Sequence, residues 1–179
     1  MTGKALDAGK MYPVGLKFGS SVALSGVATT DGNGATVTLC DVVIYAPSKC
    51  DHAAIHCLGD ANIVLAGSEY NYLDAGSSAY PALFVPQGNT LTISGTAELY
   101  AQAQDSYSAG IGSGYDYDTG TLINCGTIVI AGGVIKAMGG FGAAGIGSGY
   151  RGTCGTVTID PSLTVKNFGE YVYISPTAP

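Results

Sequence analysis

Two identical glycine-broken hexapeptides, AGIGSG at Ala109–Gly114 and AGIGSG at Ala144–Gly149, are each followed directly by a tyrosine. The first copy continues as Tyr115, Asp116, Tyr117 and Asp118, the second as Tyr150 and Arg151. These residue types suit a sugar. A tyrosine ring can cover a C–H face while its hydroxyl stays in water, and a carboxylate accepts hydroxyl protons. The six residues form the candidate ligand-binding set. The competing reading is a solvated corner whose neighbouring aromatics only stabilise a stack. Arg151 could pair with Asp116 or Asp118 between units, with little gain if the pair is exposed.

Other motifs resemble chemistry without meeting its requirements. Gly147, Gly149 and Gly152 fit G-x-G-x-x-G. A dinucleotide fingerprint needs a helix after the loop, whose N-terminus holds the pyrophosphate. Here TCGTVTID follows, which reads as a strand, and no G-K-[ST] occurs. Cys50, His52, His56 and Cys57 lie in CDHAAIHC. A bent loop could gather some of them on a metal. The bland reading is a corner with Ile55 and Cys57 facing in and His56 facing out, and no metal is assigned. Cys125 and Cys154 sit at the same place in NCGT and TCGT. Stacked units would bring their Cα atoms about 5 Å apart. Buried thiols filling a corner are the favoured reading, and a disulfide is the alternative. Glycoside hydrolysis needs two placed carboxylates. Asp116 and Asp118 qualify by type alone, so no catalytic residue, cofactor or enzymatic activity is assigned.

The elements that must position these residues repeat. TVTLCDVVI, NIVLAG, TLTISG, TIVIAGG and TVTID begin at Thr36, Asn62, Thr90, Thr127 and Thr156, about 30 residues apart. Each alternates, with Val37/Leu39, Ile63/Leu65, Leu91/Ile93, Ile128/Ile130 and Val157/Ile159 on one face, a strand signal. Between them lies a second ladder, AAIHCLG, PALFVPQG, AGIGSG and AGIGSG, aligned on Ala54, Ala82, Ala109 and Ala144. A third is shorter: VVIYA, AELYA and GVIKA. Three short strands per unit, in constant order, predict an all-β right-handed parallel β-helix of about five short coils with strand-like caps. An antiparallel sandwich is the alternative. The repeats span 35–160. Residues 1–34 read as an N-terminal strand (MYPVGLKF) or cap, or the end of a preceding β-sandwich. Residues 161–179 read as a cap strand and tail, with KNFGEYVYISP as a terminal edge.

Composition narrows the partners. Formal charge is −6, and no Lys or Arg lies between Lys49 and Lys136. That argues against nucleic acid, which needs basic groups to replace counterions. No apolar run is long enough to span a membrane as a helix. The opening residues lack signal-peptide order, so an exported form would be a processed or truncated piece.

"AAIHCLGDANIVLAG", "PALFVPQGNTLTISGTAELYA", "SAGIGSG", "CGTIVIAGGVIKAMGGFGAAGIGSG" and "CGTVTI" resemble the glycine-rich AGIG(S/G)G-type β-helix repeats of Bacteroidetes surface and secreted proteins. GKALDAGKMYPVGLKF resembles the closing strand of the fimbrillin-like domain that often precedes them. The resemblance implies an extracellular or cell-surface module with an adhesive or carbohydrate-binding role, its partner a glycan or a host or cell-surface protein. A structural spacer and a polysaccharide-active β-helix enzyme are the alternatives.

Overall fold

A computed structural model describes residues 28–30, 35–45, 53–76, 79–103, 106–167 and 169–177. MYPVGLKF, Cys50 and His52 lie outside the described residues, as does most of segment 1–34. The described chain is all strand and turn, with no helix, so no helix among these residues is long and apolar enough to cross a membrane.

The chain visits three sheets in a fixed order. β1 (Ala28–Thr30), β2 (Ala35–Cys40) and β3 (Val43–Tyr45) enter the first, second and third sheets in turn. β4 (Ile55–Cys57), β5 (Ala61–Ala66) and β6 (Tyr70–Asp74) repeat the order, and so do β7 (Leu83–Phe84), β8 (Thr90–Gly95) and β9 (Glu98–Gln102). β10 (Ile111–Gly112) returns to the first sheet. A separate antiparallel pair follows, β11 (Tyr115–Asp116) and β12 (Thr121–Leu122), before β13 (Thr127–Ile130) and β14 (Val134–Met138) resume the pattern. β15 (Ile146–Gly147), β16 (Val157–Ile159), β17 (Leu163–Asn167) and β18 (Tyr171–Pro176) complete the described chain. Pairings within the first and second sheets are parallel throughout, whereas β18 pairs antiparallel with both β14 and β17.

Parallel register turns the alternation of each strand into columns. Val37, Ile63, Ile93, Ile130 and Ile159 align across the second sheet, and Ala61, Leu91, Ile128 and Val157 form the neighbouring column. The middle members are almost wholly buried. No strand covers its own apolar face; the strands before and after do so. Each large side chain buried this way contributes roughly 1.5–3 kcal/mol.

Three details depart from the sequence reading. The first sheet aligns Ile55, Leu83, Ile111 and Ile146. Ala54 and Ala82 therefore match Gly110 and Gly145, one residue beyond Ala109 and Ala144. The bulky column decides the register, because Ile111 and Leu83 are fully buried. The third sheet holds a strand the periodicity missed, β6. Its inward face carries Asn71, fully buried, where an apolar residue would mark a strand. Asn71 Oδ1 accepts the Val42 N–H at 3.1 Å, and its Nδ2 donates to the Ala66 and Glu98 carbonyls at 3.3 and 3.2 Å. One amide thus links three successive passages of the chain. Last, the edge of the third sheet is β17, not the segment YVYISP. β18 turns Val172 and Ile174 into the core, and that burial draws it inward against β14.

Candidate functional site

The hexapeptides stack directly on each other. Ile111 pairs with Ile146 and Gly112 with Gly147, and the Ser113 N–H donates to the Gly147 carbonyl at 3.0 Å. Gly112 has φ +135° and faces that carbonyl so closely that a Cβ would overlap its oxygen. Glycine answers both demands, positive φ and close backbone approach. Ser113 is fully buried, and its Oγ accepts the Gly149 N–H at 3.0 Å. The repeated motif is therefore a backbone junction between two layers.

That junction sets the aromatics beside one another. Tyr115 and Tyr150 lie 5.4 Å apart between ring centroids, edge to face. The centre of the cluster is Tyr107, which sequence reading did not single out. Its ring stacks on Tyr117 at 4.8 Å and 11°, and stands 6.0 Å from Tyr115, 5.6 Å from Tyr150 and 5.8 Å from Phe141. Backbone bonds fix these neighbours: the Tyr150 N–H donates to the Tyr107 carbonyl at 2.9 Å, and the Phe141 N–H to the Ser106 carbonyl at 2.9 Å. The signal lay in the sequence. Tyr107 and Phe141 each stand just ahead of a hexapeptide, so both copies are flanked by aromatics on both sides. Among the described residues, none of the hydroxyls of Tyr107, Tyr115, Tyr117 and Tyr150 has a hydrogen-bond partner within the protein. Tyr117 is 65% exposed.

The carboxylates divide. Asp116 closes the β11–β12 turn. It accepts the Asp118 and Thr119 N–H groups at 3.0 and 3.3 Å and the Thr119 hydroxyl at 2.6 Å. The Thr119 hydroxyl bond, with the backbone bonds behind it, holds the Asp116 carboxyl below its ordinary 3.8. Asp118 stays exposed. Arg151 pairs with neither aspartate. Its guanidinium lies over the Tyr150 ring, 5.1 Å from the centroid, a cation–π placement. The turn already engages both Asp116 oxygens, and a planar guanidinium stacks well on a ring. Cys125 and Cys154 are not packed as free thiols, the favoured sequence reading, but joined as a disulfide, with Cα atoms 4.3 Å apart. Asn124 Oδ1 bridges the same two layers by accepting the Thr153 N–H and hydroxyl at 3.3 and 3.0 Å.

A second aromatic region covers the outer face of the third sheet. Register aligns Tyr72, Tyr100, Lys136 and Tyr173 in one row. Tyr45 stands 5.4 Å from Tyr72, and Tyr70 stands 5.9 Å from Tyr100. Here two of the hydroxyls, of Tyr72 and Tyr100, are engaged. The Tyr72 hydroxyl and Gln102 Nε2 donate to Asp74 at 2.9 and 2.8 Å. Lys136 Nζ donates to Glu98 and to the Tyr100 hydroxyl, both at 2.6 Å. Burial pulls the Lys136 ammonium down, but the Glu98 and Tyr100 bonds outweigh it and hold it above its ordinary value. Burial, then the Asp74 bond, pushes the Tyr72 hydroxyl up. Beside the row is an open hollow of about 420 Å³, lined by Gly67, Ser68, Glu69, Tyr70, Thr96, Ala97, Glu98 and Val134.

His56 faces outward between Phe84 and Tyr80, with centroids at 4.6 and 6.4 Å, while Ile55 and Cys57 point inward. Burial pushes the Cys57 thiol up to about 12. Among the described residues, no group of His, Cys, Asp and Glu could hold a metal ion. No family model matches the chain, and neither the curated proteins nor the solved structures searched contain a match.

Proposed function

We propose that the three sheets wind as a right-handed parallel β-helix of about five short coils, and that the chain is a non-enzymatic, exported or cell-surface module that binds glycans. The cyclic strand order and parallel registers support the winding, since parallel crossovers are right-handed almost without exception. The surface location and the kinship to Bacteroidetes repeat proteins rest on the sequence resemblance alone.

One observation carries the binding reading. Five aromatic rings meet at the glycine junction, and the four tyrosine hydroxyls among them are uncommitted within the described protein. Rings offer apolar area for the C–H faces of a sugar, and free hydroxyls can bond its oxygens. Asp118 and Arg151 add an acceptor and a donor at the rim. Asp116 shapes the loop. A neutral or weakly charged glycan suits this rim, which carries one exposed cation beside one exposed carboxylate.

The test is retention on a glycan array. The intact chain should bind a defined subset of glycans, and Tyr115→Ala and Tyr150→Ala should each lower binding at least tenfold while leaving the fold intact. Absence of binding to every glycan would support the spacer reading. Release of reducing ends or unsaturated sugars from a polysaccharide would support the enzyme.

A further inference from the structure

Arg151 is the chain's single arginine, and its backbone is held where an arginine gains nothing. Its φ is +55°, in the left-handed region that favours glycine. The Gly152 N–H donates to the Gly149 carbonyl at 3.0 Å. That bond closes a tight turn with Arg151 in its third position, where glycine or asparagine is the usual choice when φ is positive. Among the described residues the other non-glycine residue with positive φ is Asp41, also at +55°. An aspartate tolerates that region better. Asp41 also makes use of it, since its Oδ1 accepts the Glu69 N–H at 2.8 Å.

The Arg151 side chain has no comparable internal use. Among the described residues its guanidinium makes no hydrogen bond and no ion pair; it lies over the Tyr150 ring and is exposed. Lys136 on the third sheet is the contrast, because its ammonium is spent on Glu98 and Tyr100. A planar donor group therefore stands beside four tyrosine hydroxyls that are equally uncommitted among the described residues. Guanidinium N–H groups form a fork that meets a carboxylate in two parallel bonds, which a lysine ammonium cannot do. Backbone strain kept under an exposed, uncommitted side chain is a mark of function.

We propose that Arg151 makes the junction selective for glycans that end in a sugar bearing one carboxylate, which its guanidinium binds in bidentate fashion. The inference rests on the glycan reading above and narrows it. A sugar acid joins a C–H face to a carboxylate on one ring, so the neighbouring tyrosines and the guanidinium engage it together. Charge limits the ligand from the other side. The exposed Asp118 shares the rim, no Lys or Arg lies between Lys49 and Lys136, and the formal charge is −6. A polyanion would meet more repulsion than one cation offsets. A single acidic sugar fits, and a sulfated or polyuronic chain does not.

Matched pairs on an array test this: glycans ending in a hexuronic acid or a sialic acid, each beside the same glycan with that carboxyl reduced to the alcohol. The intact chain should retain the acidic member about tenfold more strongly, and the preference should shrink at high salt. Arg151→Gln should erase the preference, and Arg151→Lys should keep only part of it. Arg151→Gly relieves the turn, so its melting temperature should not fall below the parent's, yet its preference should vanish too. Equal retention of both members, lost in Tyr115→Ala, would overturn the selectivity and leave the glycan reading standing. No retention of any glycan would overturn both. A preference that survives Arg151→Gln sinks the assignment, and so does an Arg151→Gly chain that melts well below the parent, because Arg151 would then be holding the turn.

Discussion

The two aromatic regions are built on opposite principles. The third-sheet row is placed by register: Tyr72, Tyr100 and Tyr173 alternate with buried partners on the same strands, Leu73, Leu99, Val172 and Ile174. Each ring position is thus a by-product of the core, and the Tyr72 and Tyr100 hydroxyls are engaged locally by Asp74 and Lys136. The glycine-junction cluster is placed by close backbone approach and by one extra hairpin, and its hydroxyls are left over. A surface whose hydrogen-bonding capacity is spent internally has stability to offer and little else. A surface whose capacity is unspent can bind. The number of tyrosines does not distinguish the two; in the row the Tyr72 and Tyr100 hydroxyls are engaged, and at the junction, among the described residues, none of the four is.

The largest effect that could break this contrast lies under the row. Leu99 is fully buried beside Tyr100, and Leu99→Ala should cost about 3 kcal/mol in urea unfolding. A cost no greater than that of truncating a loop tyrosine would mean the row is not held by the core. Next comes the latch. Asn71→Leu keeps the branched shape but orphans the Val42 N–H and two carbonyls, and should cost about 2 kcal/mol, within the usual range for buried unsatisfied groups. A stabilised Asn71→Leu would show that apolar packing outweighs those bonds. Smaller again is a matched pair. Lys136→Met removes an ion pair whose side chains are 22% and 30% exposed, and should cost at most about 1 kcal/mol. Tyr117→Ala should change stability by less than about 0.5 kcal/mol while lowering glycan retention. Lys136→Met should leave retention unchanged.

The same contrast sets what the sequence could reveal. The second sheet was legible because Ile63, Leu65, Leu91, Ile93, Ile128 and Ile130 alternate without interruption, and alternation is a direct image of one buried face. β6 was hidden because Asn71 takes an inward position, and only three-dimensional hydrogen bonding makes that residue tolerable. The register of the first sheet was misjudged by one residue, since matching alanines by identity ignores which side chain fills the column. At the candidate site, Tyr115 and Tyr150 were found because they follow a repeated word. Tyr107 stands at the centre of the cluster, but its place depends on a backbone bond to Tyr150, 43 residues away in the chain. The pairing of Arg151 with an aspartate failed for a related reason. Opposite charges at matching positions do not reveal that a turn has already engaged one partner.

Asp116 offers the finest test, because it separates shaping the loop from binding through it. Its carboxyl is held below 3.8 by the Thr119 hydroxyl first and by backbone N–H groups after it. A group whose folded value is depressed stabilises the structure above its unfolded value and loses that contribution as pH falls through the folded one. The turn should therefore stay closed at neutral pH and loosen only in acid, below the ordinary carboxylate range. In NMR spectra the Thr119 amide should titrate with a midpoint below 3.8, and the Tyr107–Tyr117 stack should loosen with it. Asp116→Asn retains an acceptor for the turn without the charge, so it should abolish the titration yet keep the stack and glycan retention. Asp116→Ala should lose the turn and, with it, the position of Tyr117. If Asp116→Asn binds as poorly as Asp116→Ala, then the carboxylate charge itself meets the ligand, and the division of labour between Asp116 and Asp118 drawn from the turn geometry is wrong.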